Sequence, residues 1–165
     1  GEFKEEDPLI SAFSASSFYS IDRYISYKTA WEKDYKAGKT IFAARYTTSN
    51  VIYQMAKLDK SQWEKYRAWL WDYEYEKLGI PKPDKVIYLD VPLEISQKLL
   101  TKRYEAYGGK KDVHEANLEF MKRCSLAAHY AAEMDSPRWE VIDCTQNGEM
   151  RSIEDIHREI AEHIK

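Results

Sequence analysis

Lys85-Val86-Ile87-Tyr88-Leu89-Asp90-Val91-Pro92 is the stretch whose reading decides the fold. Its apolar residues run together instead of alternating with polar ones, the pattern of a strand covered on both faces in a parallel sheet. Pro92 suits the first turn of a helix, and Leu93, Ile95, Leu99 and Leu100 then recur at helical spacing. A strand that runs straight into a helix makes a parallel connection to the next strand.

The same alternation extends in both directions. Downstream, Trp139-Glu140-Val141-Ile142-Asp143 reads as a last strand, and Ile153, Ile156, Ile160 and Ile164 predict a terminal helix behind Ser152. Between them, a helix is predicted from His114 to about Met134, preceded by a flexible charged loop over 104–113 built around Gly108-Gly109-Lys110-Lys111. Upstream, Ser61 is the expected N-cap of a helix bearing Trp63, Tyr66, Trp69, Leu70 and Tyr73, which Gly79 closes and Pro81 and Pro83 prevent from continuing. Thr40-Ile41-Phe42-Ala43-Ala44 predicts a short buried strand, with a helix starting near Ser49. From Ser11 to Lys36, Phe13, Phe18, Ile21, Ile25 and Trp31 mark a long amphipathic helix that Gly38 stops. Strands alternating with helices predict an α/β layer fold over residues 1–165, one domain without internal repeat.

At 165 residues, 44% hydrophobic and 14% aromatic, the chain has enough apolar material for one core. A net charge of -3 gives no long-range attraction to nucleic acid or to an anionic membrane, so a phosphate site is expected to be local and its ligand small. No run of about 18 apolar residues suggests a span, and the two cysteines, Cys124 and Cys144, read as reduced thiols of a cytoplasmic protein without a zinc site.

Gly38-Lys39-Thr40 invites comparison with a phosphate-binding loop, but that motif requires glycine where this chain has Lys33. The order is also reversed, because a phosphate loop leads from strand into helix so that backbone N–H groups meet the anion. Gly38 is therefore read as a helix stop.

The window from Phe18 to Gln54 is the most specific part of a likeness that spans the chain from about Phe13 onward. Within it stand Tyr19, Arg23, Ala43-Ala44-Arg45-Tyr46, Ser49, Asn50, Tyr53 and Gln54, and Pro81-Lys82-Pro83-Asp84 follows ahead of the strand at 85–91. On these residues the chain resembles the thymidylate kinases, P-loop nucleoside monophosphate kinases. The resemblance implies a three-layer parallel sheet flanked by helices, here without its first β-α-β portion, and transfer of the γ-phosphoryl group of ATP to dTMP with Mg2+. It implies that Tyr19 stacks on the base, that Arg23 bonds a base carbonyl, and that Arg45 holds the acceptor phosphate. Ser49 and Asn50 would face the base edge, and Tyr53, with Gln54 beside it, would crowd the sugar in favour of deoxyribose. Arg103, Lys110 and Lys111 match the lid that closes over the donor, Cys144 and Thr145 border the adenine, and Asp112 and Glu115 lie where the family places carboxylates near magnesium. Asp90 is either a supporting carboxylate at a strand end or a helix cap.

Three departures stand out. Ala44 occupies the position of the family aspartate, His114 that of a frequent tyrosine, and no phosphate loop precedes the matched residues. Gly1-Glu2-Phe3-Lys4-Glu5 reads as the continuation of a helix begun upstream, so a preceding segment is expected as another chain or another piece. Impaired transfer follows as an expectation. The alternatives are a catalytically inactive nucleotide-binding or protein-interaction pseudokinase, or a kinase for another deoxypyrimidine nucleotide such as dUMP. The family habit also implies a homodimer formed through helices.

Overall fold

The computed structural model describes residues 8–107 and 118–164. Contacts divide the chain into two compact units, Gly1–Lys82 and Pro83–Lys165.

In the first unit, α1 (Pro8–Ser26) continues through a π-helical turn (Tyr27–Trp31) into α2 (Glu32–Lys36), and Gly38 at φ 79° ends it with Lys39 N–H donating to Asp34 O at 3.1 Å. A residue without Cβ adopts that left-handed conformation readily, so the helix-stop reading of Gly38 holds. The face that α1 buries differs from the expected one. Ala12, Ser16, Ser20 and Tyr27 are buried, whereas Phe18 is 74% exposed and Ile21 and Ile25 are also exposed. Small residues let α1 approach α3 (Thr47–Tyr53) and the 3-10 turn Met55–Lys57 closely, and their hydroxyls bond back to the helix: Ser16 Oγ donates to Ala12 O and Ser20 Oγ to Ser16 O.

Asp59, not Ser61, begins the next helical segment: its carboxylate accepts from Ser61 N–H at 2.9 Å and opens a 3-10 turn, Lys60–Gln62, that leads into α4 (Trp63–Trp71). The π-helical turn Asp72–Lys77 extends α4, and Gly79 closes it at φ 66°. Tyr66, Leu70 and Trp63 form the buried face, with Phe13 edge-on to the Tyr66 ring at 5.3 Å and to Trp69 at 4.5 Å. The expected strand at Thr40–Ala44 is not formed. A ladder needs a neighbouring strand, and among the described residues of this unit no strand lies beside that segment.

The second unit bears out the deciding stretch. β1 (Val86–Asp90) pairs in parallel with β2 (Trp139–Asp143), Val86 opposite Trp139 and Asp90 opposite Asp143. The crossover carries α5 (Leu93–Tyr107) and α6 (Leu118–Met134), and α6 turns Cys124, Ala127, Ala128, Ala131 and Ala132 into the core with Trp139 and Ile142. β1 is less covered than its composition predicts, with Leu89 47% exposed, because in a two-stranded sheet both strands are edges. A hairpin that sequence reading missed follows β2: β3 (Thr145–Gln146) pairs antiparallel with β4 (Glu149–Met150). Its two turn residues, Asn147 and Gly148, both have positive φ, at 54° and 79°. That is the geometry an Asn-Gly hairpin turn adopts. α7 (Ile153–His163) starts as expected, Ser152 Oγ accepting from Asp155 N–H at 3.0 Å.

Candidate functional site

Glu74 organises the polar centre of the first unit. Tyr66, Leu70 and Glu74 recur one turn apart along α4 and its π-helical extension, so the geometry that buries the first two also buries the third. A carboxylate in such a place requires compensation. Its side chain is 0% exposed, and the guanidinium of Arg23, whose side chain is 15% exposed, grips it with two bonds, Nε to Oε2 at 2.9 Å and Nη2 to Oε1 at 2.5 Å. The single Ser20 O–H is shared between Oε1 at 2.8 Å and Ser16 O at 2.8 Å, and Asn50 Nδ2 donates to Oε1 at 3.3 Å and to Ser16 O at 3.3 Å. Ser16 Oγ is also bonded to the Tyr66 hydroxyl at 2.5 Å. Burial pushes the Tyr66 phenol far above its usual range, so it stays neutral and serves as a fixed dipole.

Around the start of α3 the backbone is strained. Arg45 has φ 71°, a left-handed conformation that costs a residue with a Cβ about 1–2 kcal/mol. Its guanidinium lies 5.2 Å from the centre of the Tyr53 ring. Neighbouring groups hold the segment in place: Tyr46 OH donates to Pro81 O at 2.9 Å, and the Thr47 and Tyr75 hydroxyls are bonded at 2.7 Å. Burial raises the Tyr46 phenol well above its ordinary value. Ala44 is exposed, Ser49 is half-buried, and Gln54 is buried with Oε1 lacking a partner among the described residues.

Of the predicted acceptor residues, the structure therefore brings Arg23 and Asn50 together on one carboxylate, and Arg45 and Tyr53 together as a cation and a ring. Tyr19 lies one turn before Arg23 and is 53% exposed.

The predicted donor-side residues belong to the second unit. Arg103 of α5 lies over the Tyr104 ring at 5.2 Å and lines a shallow cavity of about 210 Å3 with Val91, Ser96, Leu99 and Leu100. Cys144 is buried and its thiol is pushed up by that burial, while Thr145 donates through N–H and Oγ1 to Asp143 Oδ1, holding that carboxyl below its usual range. Asp90 Oδ2 lies 3.0 Å from His129 Nε2. Lys110, Lys111, Asp112, His114 and Glu115 lie outside the described residues, and among the described ones no three acidic, His or Cys side chains gather to hold a metal.

Sequence reading missed Glu74. The signal was available in the spacing of Tyr66, Leu70 and Glu74, a carboxylate on an apolar face that calls for a buried cation such as Arg23.

A parallel sheet with helical crossovers, joined in the same chain to a buried guanidinium–carboxylate–amide cluster, places the protein in the mixed α/β class. Comparison with known proteins names the family. The model described as thymidylate kinase matches residues 5–160, and the chain belongs to the thymidylate kinase family. A thymidylate kinase of Mycobacterium tuberculosis is 27% identical over 138 residues, covering 82% of this chain and 64% of the relative. Those of Thermomicrobium roseum and Dictyostelium discoideum are 31% identical over 108 residues and 34% over 125, covering 66% and 75% of this chain. The matches span only 64%, 48% and 45% of these relatives' own lengths.

Proposed function

We propose that the chain serves a nucleoside monophosphate kinase that transfers the γ-phosphoryl group of ATP to dTMP. In that reaction an oxygen of the dTMP phosphate forms a bond to the γ-phosphorus, the bridging β–γ bond breaks, and ADP leaves. The observation that carries this reading is the gathering of Arg23 and Asn50 on Glu74, with Arg45 and Tyr53 paired at the start and end of α3. Family membership supports the same assignment.

Each residue then has a chemical task. The planar fork of Arg45 suits the oxygens of the acceptor phosphate, and the left-handed backbone there aims it. Tyr53 crowds the sugar, Tyr19 offers its exposed ring to the base, and Ser49 and Gln54 complete the polar wall. Arg103, with Lys110 and Lys111 of the lid at 104–113, offsets charge on the donor phosphates, and the backbone at Cys144 and Thr145 borders the adenine. The three-layer sheet of the kinase fold and a homodimer belong to the same proposal. Mg2+ would supply charge neutralisation at the donor phosphates when bound, and among the described residues no three acidic, His or Cys side chains gather to hold it.

Calorimetric titration of the chain with dTMP, followed by an ADP-release assay with ATP and Mg2+, tests the reading. One-site binding with turnover supports it, and absence of dTMP binding overturns it. Ala44 favours a second reading, binding without turnover, because a methyl group cannot organise charge where the family has aspartate. With the expected preceding segment supplied, Ala44→Asp is expected to raise turnover; an unchanged rate in that reconstituted assay removes Ala44 as the limiting defect.

A further inference from the structure

We propose that Glu74 is a positioning residue that sets the hydrogen-bonding polarity of the base site and thereby makes it select a pyrimidine with a protonated N3 over cytosine. The inference rests on the acceptor-site reading above and extends it to a residue with no role there.

The argument is one of donors and acceptors. An ionised carboxylate only accepts, so the Asn50 amide must turn its NH2 toward Glu74, where Nδ2 lies 3.3 Å from Oε1, and the second bond to Ser16 O at 3.3 Å engages the same nitrogen. Both Asn50 donors are thus directed inward, and Oδ1, which has no partner among the described residues, remains as an acceptor. Arg23 is held likewise: Nε and Nη2 are directed at the two carboxylate oxygens, leaving Nη1 as the donor without a partner among the described residues.

The site accordingly offers donors from Arg23, the remaining N–H groups of its guanidinium, and one acceptor from Asn50. Thymine and uracil present the matching pair, the O4 acceptor beside the N3–H donor. Cytosine presents the reverse, an N4 amino donor beside a bare N3, so both contacts would face like groups. Sites that read a hydrogen-bonding pattern discriminate strongly because the wrong ligand leaves polar groups unpaired. This pair does not separate thymine from uracil, which differ only at the 5-position.

Glutamine at position 74 would remove the asymmetry. With its carbonyl in the place of Oε2 it still accepts from Arg23 Nε, while its NH2, in the place of Oε1, gives up the bond from Arg23 Nη2 and faces Asn50. Asn50 can then turn Oδ1 to it and its own NH2 toward the base, at the loss of the bond to Ser16 O.

The experiment is calorimetric titration of the unmodified chain and of Glu74→Gln and Glu74→Asp with dTMP, dUMP and dCMP. Expected are dTMP and dUMP binding at least about tenfold more tightly than dCMP, collapse of that ratio to within about threefold in Glu74→Gln, and its retention in Glu74→Asp, which keeps an acceptor-only group. A folded Glu74→Gln protein with an unchanged dTMP-to-dCMP ratio overturns the role of Glu74 and leaves the acceptor-site reading standing. An unmodified chain that binds dTMP and dCMP equally overturns both. If Glu74→Gln does not fold, the side-chain NH2 resonances of Asn50 in the unmodified chain decide. Signals in slow exchange with water, in the same environment with and without dTMP, support the proposal; signals that dTMP draws into a new hydrogen bond overturn it.

Discussion

A carboxylate without solvent is tolerable only while its partners stay. Glu74→Ala leaves the Arg23 guanidinium and the Asn50 amide facing a cavity, and loss of one member of a buried pair typically costs about 3–5 kcal/mol. Urea denaturation is expected to show a loss on that scale, and a loss below about 1 kcal/mol would mean that the pair is solvated as an ordinary surface bridge is. Arg45 is the opposite case, since its side chain is exposed and its backbone is strained. In Arg45→Gly, relief of about 1–2 kcal/mol of left-handed strain is offset by glycine's chain entropy and by the lost contact with Tyr53, so stability is expected to change by less than about 1 kcal/mol. The dTMP affinity of the same variant is expected to fall at least about tenfold. Thermal melts and calorimetry read the two effects separately, and equal losses in both would tie Arg45 to the fold instead of the ligand. Arg23, Arg45 and Asn50 were legible as residue types suited to phosphate and base. Their partner Glu74 was not, because a glutamate between Tyr73 and Tyr75 reads as a solvated charge until helical spacing is traced back to Leu70 and Tyr66.

Among the elements, the strand pair shows how flanking charges contribute. Lys85 Nζ lies 2.8 Å from Glu140 Oε1, a bridge across the starts of β1 and β2, and Lys85 holds the Glu140 carboxyl below its ordinary value. A carboxyl whose folded value is depressed contributes stability that is fully present above its unfolded value and is lost as pH falls through the folded one. Glu140→Gln is therefore expected to flatten part of the acid limb of a plot of melting temperature against pH while leaving the neutral region little changed. An identical acid limb in the variant would show that the bridge contributes nothing to folding. Elements were legible where their signals were local. Gly38 and Gly79 stop helices by adopting positive φ, and Ser152 caps α7 through its own hydroxyl. The segment at Thr40–Ala44 has the composition of a strand, yet a strand exists only as half of a ladder. The buried face of α1 was misread for a similar reason: hydrophobicity points to Phe18, Ile21 and Ile25, whereas close helix approach selects Ala12, Ser16 and Ser20.

For the whole molecule, the residues proposed for the base and the acceptor phosphate all fall within Gly1–Lys82. Saturating dTMP is expected to slow amide hydrogen exchange in α1, α3 and the segment Asp72–Lys77 while leaving α6 and α7 unchanged, and at about 100 times its Kd to stabilise the liganded form by about 2.7 kcal/mol. Protection spread evenly over the described residues would contradict an acceptor site confined to that unit. No helix among the described residues is long and apolar enough to cross a membrane. What the chain's own residues determined is the alternation of strand and helix, the strands at Val86–Asp90 and Trp139–Asp143, and, through the residues it shares with relatives, the family. The alternation and the strands follow from local periodicity, capping and turn chemistry, which act over a few residues. Only the tertiary structure decided which face of α1 is buried, that Thr40–Ala44 has no ladder, and that Arg23, Asn50 and Ser20 converge on Glu74 across more than twenty residues of sequence. Convergence of that kind is set by the requirement that a buried charge be fully compensated, a condition that exists only once the chain has closed around it.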